Sequence, residues 1–256
     1  MSYRPWGAFH LFTIIISILF PFILWLILKN KKESTKRIVL FIFAIFGVAI
    51  LIYNFFDRKN YIYDLPLHMC SINGFLLPYV CLSKKNKTLG NLLMIWCVGA
   101  LGALIFNFEV ENMTTSDSRS WTYFLSHMIE FGLPIAIGLL KVVKLDYKNM
   151  VSTLILTFSI YTIVHFINVG IEKYFLVHLN QVVYPNYFFS MNHCNSPFLV
   201  FFWNILPYRY FYLLLILPLI FILFAIIYGH QIINVIKEKR NRKKKWLSNP
   251  NLTIFI

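Results

Sequence analysis

Apolar residues in this chain are grouped into seven long segments that shorter polar stretches separate. Each segment is close to the ~20 residues that an α-helix needs to cross a bilayer. Because a segment in lipid must satisfy its own backbone hydrogen bonds, each one is predicted to be a helix. The predicted spans are residues 8–28, 38–56, 64–82, 89–108, 121–141, 150–170 and 208–230.

The composition supports a membrane protein. Of the 256 residues, 59% are hydrophobic and 13% are charged, and the mean hydropathy is +0.66. Ordinary soluble domains carry roughly 25% charged residues, so the composition argues against a soluble fold. We predict an all-α polytopic membrane protein with seven transmembrane helices in residues 1–236, an outer aromatic loop at 171–207 and a basic cytoplasmic tail at 237–256.

The formal net charge of +14 fits either a nucleic-acid-binding surface or the basic loops of a membrane protein. Eighteen of the 24 Lys and Arg residues lie on one side of the predicted bundle, in residues 29–37, 83–87, 141–148 and 237–245. Basic loops of membrane proteins face the cytoplasm. The N-terminus is therefore predicted outside and the C-terminus inside, and nucleic acid is not expected as a partner. Contact between the basic tail and anionic lipid is a further role that the charge allows.

Polar residues cluster near the outer ends of the predicted helices. Cys70 and His127 each lie six residues inside an outer helix start, which places both about 9 Å deep. Polar side chains inside a bilayer are costly and usually mark function. The other members of this layer are His10, Asn54, His68, Asn73, Asn107, Glu130, His165 and Asn168.

Helical spacing relates several of these residues. Three predicted helices each present two polar residues three positions apart, on one face: Cys70 with Asn73, His127 with Glu130, and His165 with Asn168. His68 is only two residues from Cys70, so a regular helix points the two side chains about 200° apart. His127, at matching depth on another helix, is therefore the better candidate base for Cys70.

The residues alone leave three interpretations of Cys70. As a nucleophile, it would need a neighbouring base such as His127 to form the thiolate. As a packing residue, it would be a small buried apolar group. As half of a disulfide, it would pair with Cys194, the other cysteine predicted on the outer side.

The four histidines of the polar layer also admit a metal site or a hydrogen-bonded network between helices. Neither an HxxxH nor an HExxH spacing occurs, and the four histidines come from four predicted helices. We therefore predict neither a metal site nor a cofactor.

Several short motifs carry a family resemblance. They are GAFHLF (7–12), LPLHMCS (65–71), YFLSHMIE (123–130), INVG (167–170) and NYFF (186–189). Together they resemble the YwaF-like family of bacterial integral membrane proteins. The resemblance implies a location in a bacterial cell membrane and makes Asn186 and Tyr187 candidates that support the site.

That family is similar to an animal transmembrane protein proposed to be a cysteine-centred acyltransferase of polyunsaturated ether phospholipids. More distantly, it is similar to multi-pass lipid hydrolases that use a threonine and a histidine on two helices. The resemblance implies that Cys70 takes the place of the nucleophile and His127 that of the histidine.

We predict a membrane-embedded lipid acyltransferase or lipid ester hydrolase that acts at the outer leaflet. Cys70 would be the nucleophile and His127 the base, while Glu130 would orient His127. The expected substrate is a phospholipid, whose ester bonds lie near the predicted depth of the site. A transporter or solute-binding component and a non-catalytic scaffold are the alternatives, although transporter sites tend to lie at the midplane on broken helices. The sequence makes no prediction about oligomeric state.

The charge asymmetry yields a topology prediction. A reporter fused after residue 245 is expected in the cytoplasm, and a label placed at Asp117 is expected to react with reagents outside the cell. Labelling of intact cells with impermeant reagents measures both positions. Finding the two on one side of the membrane would contradict the predicted orientation.

Overall fold

A computed structural model describes residues 6–58, 62–63, 65–83, 87–106, 114, 116–194 and 196–247. Its α-helices within this part of the chain are α1 (Ala8–Leu28), α2 (Glu33–Arg58), α3 (Met69–Leu82), α4 (Lys87–Phe106), α5 (Ser118–Leu139), α6 (Met150–Leu179), α7 (Pro197–Ile205) and α8 (Leu217–Leu247). Short 3₁₀ turns lie at Tyr147–Asn149, Tyr187–Phe189 and Phe211–Ile216.

The all-helical membrane architecture is confirmed. In the described residues, six helices are long and apolar enough to cross a membrane: α1, α2, α4, α5, α6 and α8. The apolar helix α3 has 14 residues, fewer than the ~20 that a perpendicular span needs. The count of seven spans and the orientation of the bundle remain predictions.

Helix α3 begins at Met69, which corrects the predicted start at residue 64. Pro66 disfavours helical geometry in the residue before it, and the Leu67 amide closes a tight turn on the Leu65 carbonyl at 2.6 Å. His68 has extended backbone geometry and is the N-cap residue. Cys70 is therefore the second residue of α3, in its first turn, rather than six residues inside a helix.

The predicted loop at 171–207 contains two α-helical stretches. Helix α6 continues past residue 170 to Leu179, where Asn180 adopts the left-handed geometry that often ends helices. The same stretch also contains α7. Likewise, the final span begins with a 3₁₀ turn rather than at residue 208, and α8 continues into the predicted tail as far as Leu247.

Helix α5 is the centre of the bundle, because it packs against α1, α2, α3 and α4. Helix α6 packs on α4, and α8 contacts α4. Much of α1, α2, α6 and α8 exposes Ile, Leu and Phe side chains. Such apolar faces suit contact with lipid. The chain thus surrounds one buried helix with helices that face the bilayer.

The bundle has two ends, which we name after a buried residue at each. At the His10 end, the start of α1 meets the end of α4 through a hydrogen bond between His10 Nε2 and the Leu104 carbonyl (2.7 Å). At the Arg37 end, the start of α2 meets the ends of α3 and α5. Polar contacts at both ends therefore fix neighbouring helices against each other.

Arg37 connects three helices through backbone carbonyls. Its Nη1 donates to Cys81 (2.9 Å) and Ser83 (3.3 Å), its Nη2 donates to Val142 (2.6 Å), and its Nε pairs with the Glu33 carboxylate (2.9 Å). The last carbonyls of a helix lack partners inside it. A guanidinium satisfies them and matches the negative end of the helix dipole.

Loss of this contact is expected to destabilise the bundle. Arg37→Ala leaves buried carbonyls unsatisfied and should lower the free energy of unfolding by about 3 kcal/mol. Denaturation of purified protein in mixed micelles measures this change. The matched control is Lys32→Ala, which removes an exposed cation from the same end. Equal stability of the two variants would contradict the role assigned to Arg37.

Candidate functional site

The site begins with a backbone carbonyl that lacks its usual helical partner. Pro134 lies inside α5 and has no N–H to donate to the carbonyl of Glu130, four residues earlier. The Asn73 side chain supplies the missing donor, because its Nδ2 lies 3.1 Å from the Glu130 oxygen. Asn73 is fully buried in α3. One hydrogen bond therefore fixes α3 against α5.

This contact brings three chemically active side chains together. Cys70 lies one turn before Asn73, and His127 lies one turn before Glu130. The Cys70 sulfur, a ring nitrogen of His127 and a carboxylate oxygen of Glu130 all lie within 4.8 Å of one another. Glu130 is 2% exposed, whereas Cys70 and His127 are half-buried.

Gly74 allows the Glu130 carboxyl group to lie against the backbone of α3. A Cβ atom at residue 74 would lie 3.2 Å from Glu130 Oε1 and 2.6 Å from a methyl carbon of Leu51. A larger residue would therefore require the Leu51 side chain and the Glu130 carboxyl group to shift. Gly74 thus leaves room for both side chains beside the backbone of α3.

The tautomer of His127 follows from its hydrogen bond. Its Nδ1 lies 2.7 Å from the Tyr123 carbonyl, and a carbonyl oxygen can only accept. Nδ1 therefore carries the proton, which leaves the lone pair of the neutral ring on Nε2. The Tyr123 hydroxyl in turn donates to the Ala103 carbonyl at the end of α4 (2.9 Å). This hydrogen bond thus holds the ring by Nδ1 and leaves Nε2 available to accept a proton.

The N-terminal cap of α5 helps to position this helix. The Asp117 carboxylate accepts from the Arg119 backbone N–H and pairs with the Arg119 guanidinium (both 2.9 Å). The side-chain hydrogen bond from Arg119 lowers the pKa of Asp117 below its ordinary value. The ionised cap is therefore present at neutral pH, and it is lost as the pH falls through that lowered pKa.

A second polar network joins α6 to the segment after it. Asn168 donates to the Tyr187 carbonyl and to Ser190 Oγ (both 2.9 Å), and its Oδ1 accepts from the Tyr187 amide (3.1 Å). His165 Nδ1 lies 3.1 Å from the same Ser190 hydroxyl. His165 and Asn168 therefore share a face, as their spacing predicts, and they hold the segment around Tyr187.

His68 lies just before Cys70 in the sequence, yet its ring contacts the second network. Its ring packs against the rings of Tyr187 and Phe189, with centroids 5.4 and 5.5 Å away. The Tyr187 hydroxyl donates to the Ile62 carbonyl. The chain leading into α3 is thereby attached to the 3₁₀ turn after α6.

His10 is a structural contact between α1 and α4. The Trp6 amide donates to His10 Nδ1 (2.9 Å), so Nε2 is protonated and donates to Leu104. Asn186 stabilises its own loop, because its amide donates to Asn192 and its Oδ1 accepts from the Met191 and Asn192 amides. Of the two remaining predicted residues, Asn54 is half-buried near the end of α2, and Asn107 lies outside the described residues.

The structure tests the predicted alternative of a disulfide between Cys70 and Cys194. Cys70 and Cys194 are not joined in a disulfide bond. The Cys194 sulfur instead lies 2.9 Å from Asn186 Nδ2 and 3.2 Å from Asn192 Oδ1, in an exposed loop. The disulfide interpretation is therefore wrong for this structure.

Three contributors to the site were missed by the sequence analysis. Tyr123 fixes the His127 tautomer, Pro134 frees the Glu130 carbonyl, and Ser190 joins His165 to Asn168. Tyr123 and Pro134 could have been found from the sequence, because each lies four residues, about one helical turn, from a predicted site residue. No sequence pattern pointed to Ser190, because its partners His165 and Asn168 are more than 20 residues away.

Comparison with protein-family models shows that the chain belongs to the TMEM164 family. The model of the TMEM164 family matches residues 2–228, which contain all of the polar groups described above. No curated protein and no solved structure shows significant similarity to the chain.

The pairing of Asn73 with the Glu130 carbonyl can be tested with a double-mutant cycle. Asn73→Leu should lower the free energy of unfolding by about 1–3 kcal/mol, because it leaves a buried carbonyl unsatisfied. In a Pro134→Ala background the new N–H of residue 134 can bond that carbonyl, so the same substitution should cost about 1 kcal/mol less. Denaturation in mixed micelles measures all four proteins. Equal costs in both backgrounds would refute the pairing.

Proposed function

Since the chain belongs to the TMEM164 family and draws a cysteine, a histidine and a glutamate together in its helical bundle, we propose that it is a membrane-embedded lipid acyltransferase. The cluster of Cys70, His127 and Glu130 is the observation that supports this proposal most. An acyl group is held on Cys70 as a thioester between donor and acceptor lipids.

The first half-reaction loads the acyl group. His127 Nε2 takes the proton of the Cys70 thiol, and the sulfur attacks the carbonyl carbon of a phospholipid ester. The tetrahedral intermediate collapses as its carbon–oxygen ester bond breaks. The leaving lyso-lipid oxygen receives the proton from the imidazolium, and an acyl thioester remains on Cys70.

The second half-reaction transfers the acyl group from Cys70 to the acceptor. His127 takes a proton from the hydroxyl group of an acceptor lyso-lipid, whose oxygen attacks the thioester carbonyl. The Cys70 sulfur leaves and recovers the proton from His127. Water in place of the lyso-lipid completes a hydrolysis by the same steps, so access of water to the cluster decides between transferase and hydrolase.

The start of α3 suits the negative charge that develops in both steps. Cys70 is the second residue of this helix, and the first N–H groups of a helix have no acceptor inside it. They and the helix dipole stabilise an anion at that position, whether it is a thiolate or an oxyanion. Glu130 acts as a positioning residue, because it lies within the same 4.8 Å of the ring and the sulfur.

The substrate class follows from where the cluster lies. Cys70 is in the first turn of α3, at the His10 end of a bundle that has lipid-compatible faces. A phospholipid in the adjoining leaflet places its ester groups near helix ends and its acyl chains along the apolar faces. By the predicted orientation, this is the outer leaflet.

Acyl exchange in a defined membrane tests the proposal. Purified protein in vesicles that contain a phospholipid with labelled acyl chains and an unlabelled lyso-phospholipid should transfer label to the lyso-lipid. Cys70→Ala should abolish transfer, and His127→Ala should lower kcat/KM by about 10²–10⁴-fold. Mass spectrometry of the Cys70 peptide should detect a thioester that hydroxylamine removes.

Two further variants separate chemistry from folding. Cys194→Ser, which removes an exposed thiol outside the cluster, should retain wild-type exchange. Glu130→Gln keeps a polar group of similar size, so it should retain part of the activity and shift the pH profile of kcat/KM. Full activity of a well-folded Cys70→Ala protein would exclude the thioester mechanism.

A further inference from the structure

We propose a second ligand for the three-residue cluster: a Zn²⁺ ion bound by Cys70, His127 and Glu130, in competition with acyl transfer. The binding rests on the geometry of the cluster alone. Its regulatory effect, inhibition by the metal, also rests on the proposed function.

The geometry suits a small tetrahedral cation. Ligand atoms around a tetrahedral zinc ion are about 3.5 Å apart, since its bonds to sulfur, nitrogen and oxygen are about 2.0–2.3 Å long. In this chain the three candidate ligand atoms already lie within 4.8 Å of one another. Shortening these separations to about 3.5 Å requires the ligand atoms to approach one another by about 1 Å.

Two helices hold these ligands in place. His127 and Glu130 are one turn apart on α5, and Cys70 comes from the first turn of α3. The bond from Asn73 to the Glu130 carbonyl fixes the two helices (3.1 Å). A metal ion entering the site therefore meets donors that folding has already assembled, which lowers the entropic cost of binding.

The donor set selects the type of ion. A thiolate and an imidazole favour zinc over Mg²⁺ or Ca²⁺, which prefer oxygen ligands. One thiolate and one carboxylate also neutralise a divalent charge, which matters because Glu130 is almost fully buried.

A fourth position stays open with three protein ligands, and water usually fills it. Asn73 lies one turn after Cys70 on α3, and its Oδ1 is buried and accepts no hydrogen bond from the described residues. It is an acceptor to which such a water can donate. The chain thus offers three ligands for the metal and a hydrogen-bond acceptor for the water in the fourth position.

Metal binding and acyl transfer exclude each other. The metal occupies the sulfur that must attack the ester and the imidazole nitrogen that must accept the thiol proton. Binding also displaces the thiol proton to solvent, so the affinity for zinc should rise as the pH rises. Released zinc restores the thiol and the base unchanged, which makes the inhibition reversible.

Cobalt serves as the spectroscopic probe. The full chain carries Cys194→Ser, lacks a polyhistidine tag and is titrated with Co²⁺ in detergent, then with competing Zn²⁺. A thiolate-to-cobalt absorption band and tetrahedral visible bands should appear at one equivalent and disappear with zinc. Cys70→Ser should abolish the thiolate band, and His127→Ala should weaken binding by more than about 100-fold.

Cys97→Ser is the matched control, because it removes a buried thiol of α4 and should leave the spectrum unchanged. Acyl exchange is then measured with and without zinc. Inhibition that a chelator reverses supports the competition. Absence of the thiolate band, or its persistence in Cys70→Ser, overturns the metal site.

Zinc-stimulated exchange overturns the competition, since it would make the metal part of the catalytic machinery. If the metal-free chain shows no exchange but still gives the thiolate band, the proposed function fails and the binding inference stands. The two proposals therefore fail by different measurements.

Discussion

The candidate site depends on one hydrogen bond to a backbone carbonyl that Pro134 leaves without a helical donor. Asn73 provides the missing donor from α3, and it does so from a fully buried position. An unsatisfied carbonyl in such surroundings costs about as much as a lost hydrogen bond, so the two helices are held in one register. That register aligns Cys70 with His127, and Gly74 gives the Glu130 carboxyl group room beside them.

Polar contacts elsewhere follow the same rule. At the Arg37 end, the buried Arg37 guanidinium donates to backbone carbonyls at the end of α3 and just after α5. At the His10 end, His10 and Tyr123 both bond carbonyls near the end of α4. Because a membrane interior offers little water, side chains must supply these partners. At the His10 end, Tyr123 both holds α4 and bonds His127, so a residue that holds the bundle is there a neighbour of one that could perform chemistry.

Much of this arrangement could be predicted from the sequence, because apolar length and helical spacing are local properties. The bounds of α1 were predicted to the residue, and the pairing of Cys70 with His127 came from matching depth and from exclusion of His68. The start of α3 was missed because a turn around Pro66 replaces its first helical residues.

The extension of α6 was missed for a different reason. The apolar segment was predicted to end at residue 170, yet a helix continues past its apolar stretch when nothing ends it before Asn180. The role of Ser190 depends on contacts with distant residues, so no local pattern could show it. Spacing along the chain thus predicts which residues share a helix face, whereas the partner across the helix interface depends on the tertiary fold.

The charge balance of the cluster connects its two proposed ligands. With Cys70 and Glu130 ionised and His127 neutral, the three groups carry two negative charges in a largely buried place, which is unfavourable. Two protons bring the cluster to zero, and one arrangement of those protons is a thiolate beside an imidazolium and a protonated carboxyl group. One divalent cation also brings it to zero, but it removes the lone pairs that the reaction needs. The charge balance that suits two shared protons therefore also suits the zinc ion proposed for the cluster.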